Sequence, residues 1–131
     1  VPFSIDPVLA NRHRKTVILA SGDPFWFGAG GSITQHLRAD EWTAHPGPSC
    51  FSLIAARMGW RLEETLCMGL HAAPFERLIP VLHPGRALIC TLRDGAAPAE
   101  LATWLTQQGF GETQMHIYEA LGGPNERQRW Q

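Results

Sequence analysis

The chain has 131 residues, of which 44% are hydrophobic and 18% charged, and its formal net charge is -1 at pH 7. This composition favours a folded globular protein, and the near-neutral charge argues against a nucleic-acid-binding surface. Cys50, Cys67 and Cys90 are odd in number and lie far apart in apolar stretches, which predicts reduced core thiols rather than disulfides or a zinc site. Because no signal peptide and no apolar run of ~20 residues is visible, we expect a cytoplasmic protein without a membrane partner.

The first part of the chain predicts two strands and two helices. An apolar run at residues 16–20 predicts the first strand. Ser32 and Gln35 have the spacing of a capping box, which predicts a helix that begins near Gly28. Residues 40–45 predict a short strand. After a Pro-Gly-Pro break, Ser49 is a suitable N-cap for a helix, because apolar residues recur at helical spacing from there to residue 58.

The second part repeats this alternation. Strands are predicted at residues 65–70, 86–92 and 113–121, and helices begin near Pro74 and Pro98. Gly109 is expected to end the last helix, and the final residues read from the sequence as a polar tail.

Strands that alternate with helices of about ten residues indicate βαβ units, and hence an α/β fold with helices packed on a sheet. The pattern begins again near Gly59. We therefore predict two α/β lobes, residues 1–58 and residues 59–131.

The loop after the first predicted strand is the main candidate site. Ligands of open α/β sheets bind beyond the carboxyl ends of the strands. Asp23 could accept hydrogen bonds from a ligand or cap the next helix, and Phe25, Trp26 and Phe27 offer flat apolar surfaces. A tight turn with a helix cap and core aromatic residues explains the same stretch without a ligand. Both interpretations stay open.

Other common motifs are absent. The GAGG stretch lacks the spacing of a dinucleotide fingerprint, no Gly-Lys-Ser/Thr phosphate loop occurs, and Ser49 is not in a nucleophile elbow. The six histidines show no metal-binding spacing, so no metal is expected. His71 follows a predicted strand, where it is either a structural group or a catalyst.

The stretch SGDPFWFG at residues 21–28 resembles the second signature of the tetrapyrrole methylases, which methylate porphyrinoid rings with S-adenosylmethionine. Further blocks, at residues 44–60, 70–74, 92–105 and 119–129, are similar to those of the members that methylate C5 and C15 of precorrin-6Y in cobalamin biosynthesis. The resemblance implies two lobes that hold the methyl donor in a cleft.

The resemblance also implies residue roles. The donor site would be lined by Asp23, Trp26, Ser49, Cys50, Leu70, Asp94, Gly95 and Ala96. The catalytic base stays open among Asp23, His71 and Asp94. The carboxylates of an anionic tetrapyrrole could be held by Arg12, Arg14, Lys15 or Arg93, for which solvated surface charge is the alternative. The family further implies a homodimer and, for the precorrin-6Y enzymes, a decarboxylase domain on the same polypeptide.

One departure from the family pattern concerns the first strand-turn, which has the form Gly-x-Gly-x-Gly in the family and does not occur here. We therefore expect a two-lobe fold that is incomplete at its N-terminus. Two alternatives stay open: a non-catalytic binding or assembly module of the same fold, and a methylase for another ring position.

Overall fold

The structure is a computed structural model that describes residues 4–130. The chain divides into two compact units, Val1–Ser49 (unit 1) and Cys50–Gln131 (unit 2). This division falls before the predicted boundary at residue 58, and the assignment of residues 1–58 and 59–131 to two lobes stays a prediction.

Within residues 4–49, unit 1 contains two short helices, α1 (Asp6–Ala10) and α2 (Gly30–Thr34). The predicted strand at residues 16–20 is wrong, because this segment has no backbone hydrogen-bond partner among residues 4–130. Its side chains face solvent, with Val17 75% and Leu19 93% exposed. An apolar run becomes a strand only when a neighbouring strand supplies the ladder. The predicted strand at residues 40–45 is also wrong, because this segment starts in a turn, where the N–H of Glu41 donates to the carbonyl oxygen of Arg38 at 3.1 Å.

The helix predicted to begin near Gly28 is present as α2, but its N-terminal cap differs from the prediction. Ala29 occupies the N-cap position without a side-chain hydrogen bond, and Ser32 lies inside the helix, so the capping-box prediction is wrong. The N–H of Gly30 instead donates to the carbonyl oxygen of Pro24 at 2.7 Å. A contact with the preceding loop therefore fixes where this helix begins.

Unit 2 holds most of the regular structure that the sequence predicts. Its helices are α3 (Cys50–Met58) and α4 (Ala97–Gln107), with 3-10 helices at Leu62–Glu64 and Phe75–Val81, and its strands are β1 (Leu66–Gly69), β2 (Leu88–Thr91), β3 (His116–Glu119) and β4 (Arg127–Trp130). The helix predicted after Pro74 is a 3-10 helix, and Pro80 inside it has no N–H for an α-helical hydrogen bond. The polar-tail prediction is wrong, since β4 forms there.

The four strands form two separate two-stranded sheets. β1 and β2 pair in parallel, from Leu66 opposite Leu88 to Gly69 opposite Thr91. β3 and β4 form an antiparallel pair. The parallel pair with its connecting segment is the predicted βαβ type of unit, and the mixed helix and strand content agrees with the predicted α/β class.

The core of unit 2 covers both faces of the β1–β2 pair. Phe51 and Ala55 of α3 pack with Ile89 in one cluster. The second cluster contains Leu70, Leu78, Leu101 and Leu105, with Met68, Leu88 and Cys90 packed against it. Alternate residues of the strands thus face opposite layers, as a sheet covered on both sides requires.

The three cysteines are free. Cys67 and Cys90 are partly buried between the layers, but Cys50 is exposed, so the prediction of a core thiol is wrong for Cys50. Burial raises the pKa of the Cys90 thiol to about 11. Among the helices of residues 4–130, none combines the length and the apolar character that crossing a membrane requires.

Candidate functional site

In unit 1 the SGDP loop is a tight turn built on Asp23. Its Oδ1 atom accepts the N–H of Phe25 at 2.8 Å, and its carbonyl oxygen accepts the N–H of Trp26 at 3.2 Å. The aromatic residues that follow are not core residues: Trp26 is 51% exposed, and Phe25 contacts Trp42 with ring centroids 5.5 Å apart. The tight turn is therefore present at Asp23, but the helix-cap prediction is wrong, because α2 begins at Gly30 with Ala29 at its N-cap, and the prediction of core aromatic residues is wrong, because these side chains are about half exposed.

The glycine cluster allows this loop to close on itself. A Cβ atom on Gly28 would lie 2.6 Å from the carbonyl oxygen of Pro24, and one on Gly30 would lie 2.5 Å from the same atom. Real Cβ atoms essentially never approach another atom below 3.0 Å. Phe27, between the two aromatic residues and the glycines, adopts φ +53°, which is uncommon for a bulky side chain. The loop is thus held in a compact, strained conformation at a predicted ligand site.

A second loop of unit 1 lies against the SGDP turn. A Cβ atom on Gly47 would be 3.2 Å from the carbonyl oxygen of Gly22, and one on Gly22 would be 3.5 Å from Ser49 Cα. Gly22 has φ +67°, a conformation that favours glycine. The structure therefore brings Ser49 next to the Gly22-Asp23 turn. The Ser49 side chain is buried at this contact.

In unit 2 the carboxyl ends of β1 and β2 form a second candidate region. Leu70 directly follows β1, and its N–H donates to the carbonyl oxygen of Thr91 at 2.8 Å. The next residue, His71, is exposed, and its Nδ1 atom lies 3.1 Å from Oγ1 of Thr91. The Leu70 side chain is buried in the core, so only its main chain is available to a ligand.

Asp94 lies on the loop after β2 and binds the start of α4. Its Oδ1 atom accepts the N–H groups of Ala96 and Ala97, each at 3.0 Å, and its Oδ2 atom lies 3.2 Å from Nε of Arg93. These hydrogen bonds, the one from Ala97 foremost, lower the pKa of Asp94. Asp94 is therefore a helix cap that stays ionised, which makes it a weak proton acceptor. Gly95 and Ala96 are exposed beside it.

The four cations predicted to hold ring carboxylates differ in their surroundings. Arg12 forms a two-point ion pair with Glu41, at 2.6 and 2.5 Å, which lowers the pKa of Glu41 to about 2. Arg93 is paired with Glu100 as well as with Asp94. Within the described part of the chain, no carboxylate forms an ion pair with Arg14 or Lys15. These two cations alone of the four have their charge uncompensated.

Other polar contacts were not predicted. Arg57 of α3 forms a two-point ion pair with Glu126, at 2.5 and 2.6 Å, and Glu126 also accepts the N–H of Gly122 at 2.7 Å. This arrangement, the Arg57–Glu126 latch, ties the loop between β3 and β4 to α3. The contact of Thr91 with His71 was also missed, although a threonine at the end of a predicted parallel strand is a usable signal. Among residues 4–130, no group of three metal-ligating side chains is present.

Residues 5–130 match the family model described as Tetrapyrrole (Corrin/Porphyrin) Methylases, and the chain belongs to this family. It is 40% identical over 124 residues to the precorrin-6Y C(5,15)-methyltransferase [decarboxylating] of a Sinorhizobium species, covering 95% of this chain and 30% of that protein. A Mycobacterium tuberculosis (strain H37Rv) protein of the same name is 36% identical over 112 residues, with 86% and 28% covered.

A third relative is the cobalt-precorrin-7 C(5)-methyltransferase of Salmonella typhimurium (strain LT2), 31% identical over 125 residues, with 94% of this chain and 60% of that protein covered. The chain thus spans less than a third of the length of the first two relatives. No solved structure matches it.

Proposed function

We propose that this chain forms part of an S-adenosylmethionine-dependent methyltransferase that acts on C5 and C15 of precorrin-6Y in cobalamin biosynthesis. The observation that carries the proposal is the 40% identity, along 95% of the chain, to a protein with that named activity. The exposed loops after β1 and β2, at the strand ends where α/β folds bind ligands, are consistent with it.

The residues that we propose for the methyl donor are those named from the family resemblance. In unit 1 these are Asp23, Trp26 and Ser49, which lie on two adjoining loops. The half-exposed ring of Trp26 offers a flat surface on which an adenine can stack. When bound, S-adenosylmethionine supplies an electrophilic methyl group on a sulfonium.

In unit 2 the donor-binding residues would be Cys50, Leu70, Asp94, Gly95 and Ala96. Leu70 would act through its main chain, because its side chain is in the core. Asp94 would act indirectly, since its carboxylate already caps α4. The open surface above Gly95, where a Cβ atom would meet nothing within 4 Å, leaves room for a ligand.

Methyl transfer to an enamine-like ring carbon requires positioning first and the removal of a proton afterwards. Of the three candidate bases we choose His71. Asp94 has a lowered pKa and two N–H donors, and one oxygen of Asp23 is engaged by Phe25. His71 is exposed at the strand end, with Nδ1 3.1 Å from Oγ1 of Thr91 and no hydrogen-bond partner for Nε2 among residues 4–130.

The ring itself carries many carboxylates. Arg14 and Lys15 are the cations that we propose for them, because Arg12 and Arg93 are already neutralised by carboxylates of the chain. We also propose that the full-length protein is a cytoplasmic homodimer with a decarboxylase domain on the same polypeptide. The greater length of the relatives and the word "decarboxylating" in two of their names support the decarboxylase proposal.

The test is transfer of a radiolabelled methyl group from S-adenosylmethionine to precorrin-6Y by the full-length protein. His71→Ala is expected to reduce transfer by roughly 100-fold or more, the usual contribution of a general base. His116→Ala is the matched control, since His116 is an exposed histidine on β3. Wild-type activity of the His71 variant would refute the choice of base, and a full-length protein that transfers no methyl group to precorrin-6Y would refute the precorrin-6Y assignment.

A methylase for another ring position is the second candidate, and the similarity to the Salmonella cobalt-precorrin-7 C(5)-methyltransferase favours it. The same assay separates the two, because a C5 enzyme would transfer one methyl group per ring and the C5,15 enzyme two. Isothermal titration with S-adenosylhomocysteine tests the binding-module alternative. Donor binding without transfer to any ring would support that module.

A further inference from the structure

An open cleft lies at the amino ends of β1 and β2, at the opposite end of this strand pair from the proposed base. Thr65 directly precedes β1 and Ala87 directly precedes β2, and both line the cleft. Its volume is about 510 Å³, and its other walls include Arg61, His83 and Arg86. Among the described residues that line it, none is proposed above for the methyl donor or for proton removal. The cleft is therefore a separate candidate site within unit 2.

The segment His83-Pro84-Gly85-Arg86 forms a tight turn on the rim of this cleft. The N–H of Arg86 donates to the carbonyl oxygen of His83 at 3.2 Å, which closes the turn, and Gly85 has φ +80°. Proline followed by a glycine with positive φ at the two central positions is typical of a type II turn. Because the turn fixes the backbone, the side chains of His83 and Arg86 are held close to each other before β2 begins.

His83 holds the Arg86 guanidinium in an arrangement whose hydrogen-bond directions are fixed by the partner groups. Nδ1 of His83 lies 3.1 Å from the carbonyl oxygen of Pro84, which can only accept, so Nδ1 carries the hydrogen. Nη1 of Arg86 lies 3.3 Å from Nε2 of His83, and a guanidinium can only donate, so Nε2 accepts. Both contacts require the same neutral form of the imidazole. His83 therefore orients the guanidinium without adding a negative charge.

The positive charge of Arg86 has no carboxylate partner in the described part of the chain. In this respect it differs from the arginines that form ion pairs, which are Arg12, Arg38, Arg57, Arg61 and Arg93. A guanidinium has five N–H donors, and the contact with His83 engages one of them. The cleft thus contains an oriented cation with N–H groups available, which is the arrangement that binds a carboxylate or a phosphate through two parallel hydrogen bonds.

We propose that this cleft binds a small molecule with a carboxylate or phosphate group, with Arg86 as the residue that contacts the anion and His83 as a positioning residue. Arg61 supplies a second guanidinium on the same cleft. Its Nη1 atom donates to Oε1 of Glu64 at 2.9 Å, and because both side chains of this pair are mostly exposed, a ligand oxyanion can compete for it. Trp60, which is partly buried, gives the cleft an apolar wall for the rest of the ligand. This site adds to the proposed methyl transfer and does not depend on it.

The experiment titrates the full-length protein, labelled with ¹⁵N-arginine, with sodium phosphate and with sodium succinate. Sodium chloride at equal ionic strength is the reference for non-specific screening. The Nε–H resonance of Arg86 is assigned by its absence in Arg86→Gln, and His83→Ala removes the neutral acceptor. Arg77→Gln is the matched control, because Arg77 is also exposed but lies on the 3-10 helix Phe75–Val81 and does not line the cleft.

We expect phosphate, succinate or both to shift the Arg86 resonance until it saturates, and chloride to leave it unchanged. His83→Ala should weaken the affinity about fivefold, the equivalent of one hydrogen bond, and Arg77→Gln should not alter it. Saturation by phosphate alone would identify a phosphate ligand, and saturation by succinate alone a carboxylate ligand. A response without saturation, or an equal response to chloride, would overturn the site, and an unchanged affinity in His83→Ala would overturn the role of His83. The titration needs no turnover, so its outcome is independent of methyl transfer.

Discussion

The contact between Gly30 and Pro24 predicts how an alanine at residue 30 changes the stability of unit 1. Gly31, the next residue, is the matched control because it lacks this contact. A Cβ atom at residue 30 would lie 2.5 Å from the Pro24 carbonyl oxygen, so the two must separate by at least 0.5 Å to reach the 3.0 Å limit. The same oxygen accepts the Gly30 N–H at 2.7 Å. Gly30→Ala therefore strains the hydrogen bond that fixes the start of α2.

The expected change in the free energy of unfolding of Gly30→Ala is the sum of two opposing contributions. Weakening this hydrogen bond at a buried residue costs about 1–3 kcal/mol, and alanine in a helix offsets up to about 1 kcal/mol. We expect Gly30→Ala to lower the free energy of unfolding by about 1–2 kcal/mol. Gly31→Ala has nothing within 4 Å of its new Cβ atom, and it should raise stability by about 0.5–1 kcal/mol.

Urea unfolding followed by tryptophan fluorescence measures both variants, since Trp26 and Trp42 lie in unit 1. Opposite signs of the two changes would support the reasoning. Equal changes in the two variants would refute it, because they would mean that the Pro24 carbonyl does not restrict residue 30. The Gly30 variant should also bind S-adenosylhomocysteine more weakly if the SGDP loop belongs to the donor site.

Three further predictions concern unit 2. Phe51→Ala should lower the free energy of unfolding by about 3–5 kcal/mol in a urea titration, because Phe51 is only 1% exposed. Glu126→Gln should destabilise at neutral pH; since hydrogen bonding to Arg57 lowers the pKa of Glu126 from 4.5 to about 2, the difference from wild type should shrink as pH falls through that range. Iodoacetamide labelling with mass spectrometry should modify Cys50 before Cys90, because burial raises the pKa of Cys90 to about 11.

The sequence predicts unit 2 well because its signals are local. The apolar stripe of α4, its proline in the first turn and the glycine past its end all lie within a few residues of the helix. The segment at residues 16–20 is also apolar, yet it forms no strand, because strand formation depends on a partner elsewhere in the chain. β4 is the opposite case. Its segment is polar and carries no strand signal, but it forms a strand because it pairs with β3.

The contacts of the candidate site are likewise of two kinds, local ones that the sequence predicts and long-range ones that it does not. The turn at Asp23 and the cap at Asp94 depend on neighbours two or three residues away, and spacing alone suggests them. The pairing of His71 with Thr91 joins residues 20 apart, and the Arg57–Glu126 latch joins residues 69 apart. Such partners are selected by the folded arrangement of the strands and helices, which a local pattern does not contain.

The unpaired apolar segment around Val17 and Leu19 has a practical consequence for handling this chain. A segment whose backbone has no hydrogen-bond partner among residues 4–130 and whose aliphatic side chains are exposed is a template for strand addition by other molecules. Concentrated samples are therefore expected to aggregate through association of these segments. Replacing Leu19 with a charged residue is the simplest substitution that would reduce this aggregation.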